Sequence, residues 1–261
     1  MRTILFIIAL LSSITQYTFS QTLPAPIRNY PLNGNFKDIA KGKNGTIEDG
    51  TYQWVADRFG QREGAIKFDG HAYIKTPGFF EGSDISNGYT ISLWIYIEKE
   101  YHKNQGYLPW SGLDTYSQAF FAGTLSNGHY ANTLLGFTRH GDRAVIDRYV
   151  EDLSNRSIKD WGIWFWDPVN FTDRIGWYHI VISYHPAQVY LYMFYPTGQM
   201  ASGLYYFGLQ DLSKANTWGL GGHRYTPFPC LDDVKIYDRP LERSEIMRLH
   251  AMEVSPFSLD E

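Results

Sequence analysis

The chain has 261 residues, enough for one large β domain with a substantial core, and its formal net charge of −4 excludes a general nucleic-acid binder. Aromatics reach 17% of residues, with 20 Tyr and 8 Trp, a level that suits strands, interfaces and sugar-stacking surfaces. One cysteine, Cys230, rules out an intramolecular disulfide, so the fold must stand on its core.

Met1-Arg2-Thr3, the apolar run Ile4 to Leu11 and the small and polar residues to Ser20 read as a secretory signal over 1–20, too short to span a membrane comfortably. Export to a periplasmic or extracellular location is expected, with no integral membrane span. After Pro24 and Pro26, Arg28 to Leu32 is an expected first strand, followed by a structured loop dense in turn formers from Asn33 to Gly45. Ala65 to Phe68, the Asp69-Gly70 turn and Ala72 to Lys75 read as a hairpin-like pair.

Tyr89 to Ile97 alternates, with Ile91, Leu93, Ile95 and Ile97 on one face, which predicts a central strand. Further expected strands are Gln118 to Leu125, Thr133 to Arg139, Ala144 to Val150, Trp177 to Tyr184, Val189 to Tyr195, Gly203 to Leu209 and Thr217 to Leu220. The closing strand sets Cys230, Asp232, Val234 and Ile236 on one side, so Asp232 is expected inward and Asp233 outward. Cys230 reads as a small buried hydrophobe on that alternation. Pro240 ends the strand, and Leu241, Glu245, Ile246, Leu249 and Met252 have the spacing of an amphipathic helix over 242–252. One all-β domain over 25–252 follows, a two-sheet antiparallel jelly-roll sandwich with a short C-terminal helix, leaving 253–261 as a tail.

Several blocks resemble a known family. Tyr30-Pro31-Leu32-Asn33-Gly34-Asn35-Phe36-Lys37-Asp38, Asp57-Arg58-Phe59-Gly60 and Ala65 to Ile74 are similar to the opening of a laminin G-like jelly-roll domain of the concanavalin A-like lectin/glucanase superfamily. Thr90 to Ile95, Trp177 to Val181 with Val189 to Tyr192, and Leu231 to Tyr237 with Pro240-Leu241 and Glu245-Ile246 resemble its central, paired and closing elements. The turn Phe194 to Gly198 and the aromatic stretch of about 100–170 depart from the family pattern.

Some relatives in that superfamily are glucanases with two glutamates and an aspartate alternating on one strand, a spacing that holds a carboxylate pair across a scissile bond. No such run is present; Glu98, Glu100, Glu151 and Asp152 have the wrong spacing, and Asp232-Asp233 are neighbours expected to point to opposite faces. The resemblance also implies a structural calcium tying the first loop to the closing strand, through Asp38 and Asp232. The plainer alternative sets Asp232 against backbone amides or Arg58 and leaves Asp38 in a turn. Of the eight histidines, His71, His179 and His223 lie in separate segments without metal-ligand spacing and read as structural or surface residues.

Trp161-Gly162-Ile163-Trp164-Phe165-Trp166 is the densest aromatic cluster, with Trp164 and Trp166 on one face of an extended chain. Exposed rings stack on the apolar faces of sugars, so Trp161, Trp164 and Trp166, extended by Trp110, Tyr107 and Tyr116, form a candidate glycan platform; the alternative is core filling in a large insertion. The expectation is a secreted, non-catalytic module that binds carbohydrate or a glycosylated or extracellular partner. A carbohydrate-active enzyme with an unrecognised site, and a structural or adhesion protein using its aromatics as an interface, are the alternatives.

Overall fold

The computed structural model describes residues 22–48, 50–69, 72–97, 115–125, 130–138, 143–151, 157–166, 175–205, 215–221 and 230–254, and in the four strands between 115 and 166 it describes the backbone. Residues 1–20, expected as a secretory signal, lie outside these residues, as do Tyr107, Trp110, His71, His223 and the residues beyond 254.

Fifteen described strands and one helix follow in order: β1 (Arg28–Tyr30), β2 (Thr46–Glu48), β3 (Thr51–Val55), β4 (Ala65–Asp69), β5 (Tyr73–Pro77), β6 (Tyr89–Ile97), β7 (Thr115–Leu125), β8 (Tyr130–Thr138), β9 (Arg143–Glu151), β10 (Ser157–Trp166), β11 (Gly176–Tyr184), β12 (Val189–Phe194), β13 (Met200–Tyr205), β14 (Ala215–Gly221), β15 (Leu231–Tyr237) and α1 (Arg243–Glu253). They form a two-sheet antiparallel β-sandwich. The eight-stranded sheet runs β13-β12-β11-β6-β15-β4-β3 with β1 also on β15, and the seven-stranded sheet runs β10-β9-β8-β7-β14-β5-β2.

The core between the sheets takes the alternate residues of the central strands: Tyr89, Ile91, Leu93 and Ile95 of β6, Tyr178, Ile180 and Ile182 of β11, and Trp218 and Leu220 of β14. Phe79 stacks on Trp218 at 4.7 Å and Tyr89 on Tyr184 at 4.3 Å, adding directed ring contacts to the aliphatic burial. The opposite faces of β11, β12 and β15 are covered as well, because Val181, Tyr192, Phe194 and Tyr237 pack on Leu241, Ile246 and Leu249 at and along α1. Between those apolar patches the covered face carries small hydroxyls. Leu241 N donates to Thr90 Oγ1 (2.8 Å), which donates to Arg239 O (3.0 Å), while Ser183 Oγ donates to Leu241 O (3.1 Å). These bonds satisfy the polar backbone of the Arg239–Leu241 segment where it crosses the sheet.

Three expectations are corrected. The Asp69-Gly70 signal is not a hairpin turn: β4 pairs with β3 and β15, whereas β5 pairs with β2 and β14, so the chain crosses from one sheet to the other between them. A turn signal reports local backbone preference and leaves open which sheet the next strand joins. Met252 is 56% exposed, and Glu253 holds the inward position instead, so α1 extends into the expected tail. The third concerns β15, whose alternation from Cys230 does not persist through Asp233.

Candidate functional site

β15 carries an extra residue relative to β6: Asp232 pairs with Trp94 and Lys235 with Ser92, leaving Asp233 and Val234 opposite Leu93. Asp233 adopts φ 45°, a left-handed conformation that aspartate tolerates better than most residues. The bulge resets the phase. Leu231, Val234 and Ile236 enter the inter-sheet core, while Asp232 sits beside Trp94 on the face that α1 covers. Asp232 is buried and Asp233 half-buried, yet both reach one guanidinium: Arg58 donates through its two terminal nitrogens to Asp232 Oδ2 and Asp233 Oδ2, each at 2.7 Å. The expectation of opposite faces therefore fails for a stated reason, and the Arg58 alternative describes the contact.

Arg58 also donates through Nε to Glu253 O at 3.0 Å and lies 4.5 Å from the centres of the Phe59 and Trp94 rings. The Glu253 carboxylate in turn accepts from Trp94 Nε1 and Lys235 Nζ. His179, fully buried, places Nε2 2.8 Å from Ser92 Oγ and 3.4 Å from Glu253 Oε2, and its Nδ1 lies 3.1 Å from His250 Nδ1. One of the two facing Nδ1 atoms must donate and the other accept, so the two neutral rings hold complementary tautomers. Burial pushes the Asp232 carboxyl up to about 8, with Asp233 adding to the rise and Arg58 opposing it. Burial likewise pushes His250 down to about 4 and His179 well below the usual histidine range. Chemically the cluster is a cross-brace. It fastens the last turn of α1 to β6, β11 and β15, and its carboxylates are matched to cations and indole rather than aimed at solvent.

Asp38 organises the first loop. Its Oδ1 accepts from Asn29 N (2.9 Å) and Ala40 N (3.0 Å), its Oδ2 from Lys43 N (3.2 Å) and Lys41 N (3.4 Å), and Arg28 Nε lies 4.0 Å away. Among the described residues, no group of three or more His, Cys, Asp or Glu side chains gathers as a metal cradle. Asp38 spends its oxygens on backbone amides and Asp232 faces a guanidinium, so the pair as arranged does not fit a calcium ion. Cys230 is buried, 6% exposed, as the alternation suggested.

The tryptophan strand is β10, at the end of the seven-stranded sheet. Trp164 pairs with Val145 and Trp166 with Arg143, and a bulge between Asp160 and Ile163 leaves Trp161 and Gly162 opposite Asp147. Trp164 and Trp166 thus stand opposite alternate positions of β9, and Trp161 lies within the bulge that precedes them. Tyr107 and Trp110 fall outside the described residues, and Tyr116 pairs with Phe137 in β7.

Sequence reasoning missed a cleft of about 370 Å³ where β12 and β13 meet the start of α1, lined by Tyr190, Tyr192, His185, Leu204, Glu242 and Arg243. Tyr190 and Tyr192 alternate on β12 with near-parallel rings 6.4 Å apart, and His185 meets Tyr190 edge-on at 5.1 Å. Tyr190 Oη donates to Gln188 Oε1 (2.8 Å), which fixes the ring. The signal available in sequence was the Tyr-x-Tyr alternation, but nothing local connects it to a helix that begins fifty residues later.

No family model matches the chain, and no curated protein matches it in sequence. Solved structures do share its fold. Domain 4 of a GH43 extracellular arabinanase from Geobacillus stearothermophilus, in complex with arabinotriose, superposes with a TM-score of 0.55 at 20% identity, covering 87% of this chain and 99% of that one. The receptor-binding domain of botulinum neurotoxin type G gives a TM-score of 0.57 at 15% identity over 88% of this chain, and the botulinum neurotoxin DC binding domain in complex with SialylT gives 0.54 at 13% over 87%. The chain spans about half the length of those toxin domains, 52% and 51%. At these identities the likeness establishes the β-sandwich fold.

Proposed function

We propose that the chain is a secreted, non-catalytic carbohydrate-binding module of laminin G-like type, with the tryptophan strand as its sugar platform. The observation that carries this reading is the register of β10, the last strand of its sheet, which sets Trp164 and Trp166 against alternate positions of β9 with Trp161 in the bulge beside them. Aromatic rings in a row match the repeat of a glycan chain and stack on its apolar faces, and they need no acid or base. Two further points support it. The structural neighbours include an arabinanase domain with bound arabinotriose and toxin receptor-binding domains, and the carboxylate pair of the closing strand is matched to Arg58 instead of being poised across a bond. Secretion rests on the leader-like residues 1–20.

Affinity electrophoresis of the purified chain through gels containing arabinan, xylan, β-glucan or galactan tests the reading. Retardation in at least one gel, lost in Trp164→Ala and Trp166→Ala with the melting temperature preserved, is the expected result. Undiminished retardation in both variants refutes the platform, and release of reducing ends from the retarding polysaccharide refutes the non-catalytic assignment.

A further inference from the structure

The cleft beside α1 has features that the packing of the fold does not require. Arg243 is the first residue of the helix, where the positive end of the macrodipole disfavours a cation. Among the described residues its guanidinium has no hydrogen-bond or ion-pair partner, although Arg58 and Arg239 are both tied to carboxylates. Tyr192, 6% exposed, also has no hydrogen-bond partner for its hydroxyl among the described residues. That hydroxyl lies in the field of Arg243, Tyr190 and Glu242, which are cleft walls, and burial raises its pKa. The Tyr192 hydroxyl and the exposed Arg243 guanidinium thus open onto the cleft, where solvent or a ligand completes their hydrogen bonding.

We infer that this cleft binds one neutral sugar ring, as a second subsite beside the tryptophan strand. The Tyr190 ring, held by Gln188 and His185, offers the stacking face. Arg243 supplies a planar donor fork that spans two vicinal sugar oxygens, Glu242 an acceptor for vicinal hydroxyls, and Tyr192 a hydroxyl that can donate or accept. The adjacent Glu242 carboxylate balances Arg243 and disfavours an anionic ligand, which selects a neutral sugar over a uronic or sialic acid. A volume of about 370 Å³ lies at the small end of ligand sites and accommodates a single ring rather than a chain. β10 approaches β13, whose Leu204 lines the cleft, so both surfaces belong to the same edge of the sandwich and one branched or folded glycan can engage the two.

This inference rests on the carbohydrate-binding reading, and its test separates the two. Saturation-transfer NMR on the full chain uses the methyl glycosides of arabinose, galactose, glucose and mannose as probes. Transfer to at least one glycoside is expected in the parent chain and in Trp164→Ala, and its loss is expected when Tyr190→Ala, or the exposed-site change Arg243→Gln that spares the core, is added to Trp164→Ala. The sialic acid methyl glycoside is expected to give no transfer. Transfer that survives both double variants overturns the cleft. So does an absence of transfer from every neutral glycoside, and in that case polysaccharide retardation that depends on Trp164 leaves the platform reading standing.

Discussion

Replacing Arg58 with methionine separates the electrostatic part of the cross-brace from its packing. Methionine keeps an unbranched apolar stem over Trp94 but removes the cation shared by Asp232 and Asp233. The side chains concerned are 9% exposed for Arg58, 2% for Asp232 and 21% for Asp233, so most of the effect comes from the Asp232 contact. Where Asp232 is ionised, breaking a buried pair by removing one partner costs about 3–5 kcal/mol. Where it holds a proton, the loss is a hydrogen bond of about 1 kcal/mol plus under about 1 kcal/mol from the more solvated Asp233. Burial pushes the Asp232 carboxyl up to about 8, above its ordinary value of 3.8. A raised carboxyl contributes stability that is fully present below its unfolded value and is lost as pH rises through its folded value. Removing the guanidinium raises Asp232 further, so in the variant the decline runs on above pH 8 at about 1.4 kcal/mol per pH unit. The expected cost is therefore about 2 kcal/mol near pH 6 and about 3 kcal/mol near pH 9. Urea unfolding followed by tryptophan fluorescence at the two pH values measures it. Equal costs at both, or a cost below about 1 kcal/mol near pH 9, refute the assignment of Arg58 as the counter-charge of a buried Asp232.

Other substitutions and additions read separate parts of the structure. Asp38→Ala strands several loop amides and leaves the buried Arg28 without its nearest carboxylate, so a loss of about 3 kcal/mol in urea is expected, with Asp38→Asn losing less. His250, pushed down to about 4 by burial, contributes stability that is present above its ordinary 6.5 and is lost as pH falls through about 4. His250→Gln should flatten the acid limb of a stability profile, and an unchanged acid limb would count against the buried histidine pair as its source. Because Asp38 and Asp232 are matched to protein donors, calcium and a chelator should give the same melting temperature; a calcium-dependent rise would mean that the loop rearranges to bind.

The elements legible in sequence were those whose burial is one-sided or continuous. Ile91, Leu93 and Ile95 mark β6 because its core face is uninterrupted, and Gly176–Tyr184 stands out because all but its first two residues are buried. The turn at Phe194 to Gly198, a departure from the family pattern, is a tight connection in space: Tyr195 N donates to Gln199 O and Gly198 takes φ 78°. It starts β13 at Met200, earlier than the expected Gly203, because pairing with β12 outweighs the local pattern. β2 and β3 were not legible, since Thr46–Glu48 and Thr51–Val55 are short and surrounded by turn formers. The site was legible only in its parts. Asp232-Asp233 announced a buried carboxylate, but the bulge that brings both to Arg58 depends on a left-handed aspartate, for which no glycine gave notice. Arg243 and Tyr192 meet only through tertiary packing, and no spacing rule joins them.

The two ends of α1 carry different tasks, and the difference explains why the closing strand matters to the proposed binding without touching a ligand. An eleven-residue helix is about 16 Å of rigid rod. Its last turn is fixed by Glu253 to Trp94 and Lys235, its first turn by Glu245, which takes both Arg239 and the Glu242 amide. Glutamate at the position before the helix is a weaker cap than serine or threonine, and the bond from Glu242 N to Glu245 Oε2 offsets that weakness. With both ends anchored, Ile246 and Leu249 can bury against the sheet in one register, which sets where the start of α1 stands beside the cleft. A helix fixed in place spares the cleft a backbone rearrangement on meeting a ligand, so the brace lowers the cost of recognition at the other end of the helix. The tryptophan strand has no such dependence on α1. Loosening the brace should therefore weaken the cleft selectively, since β10 takes its position from β9 and the long strands of the opposite sheet.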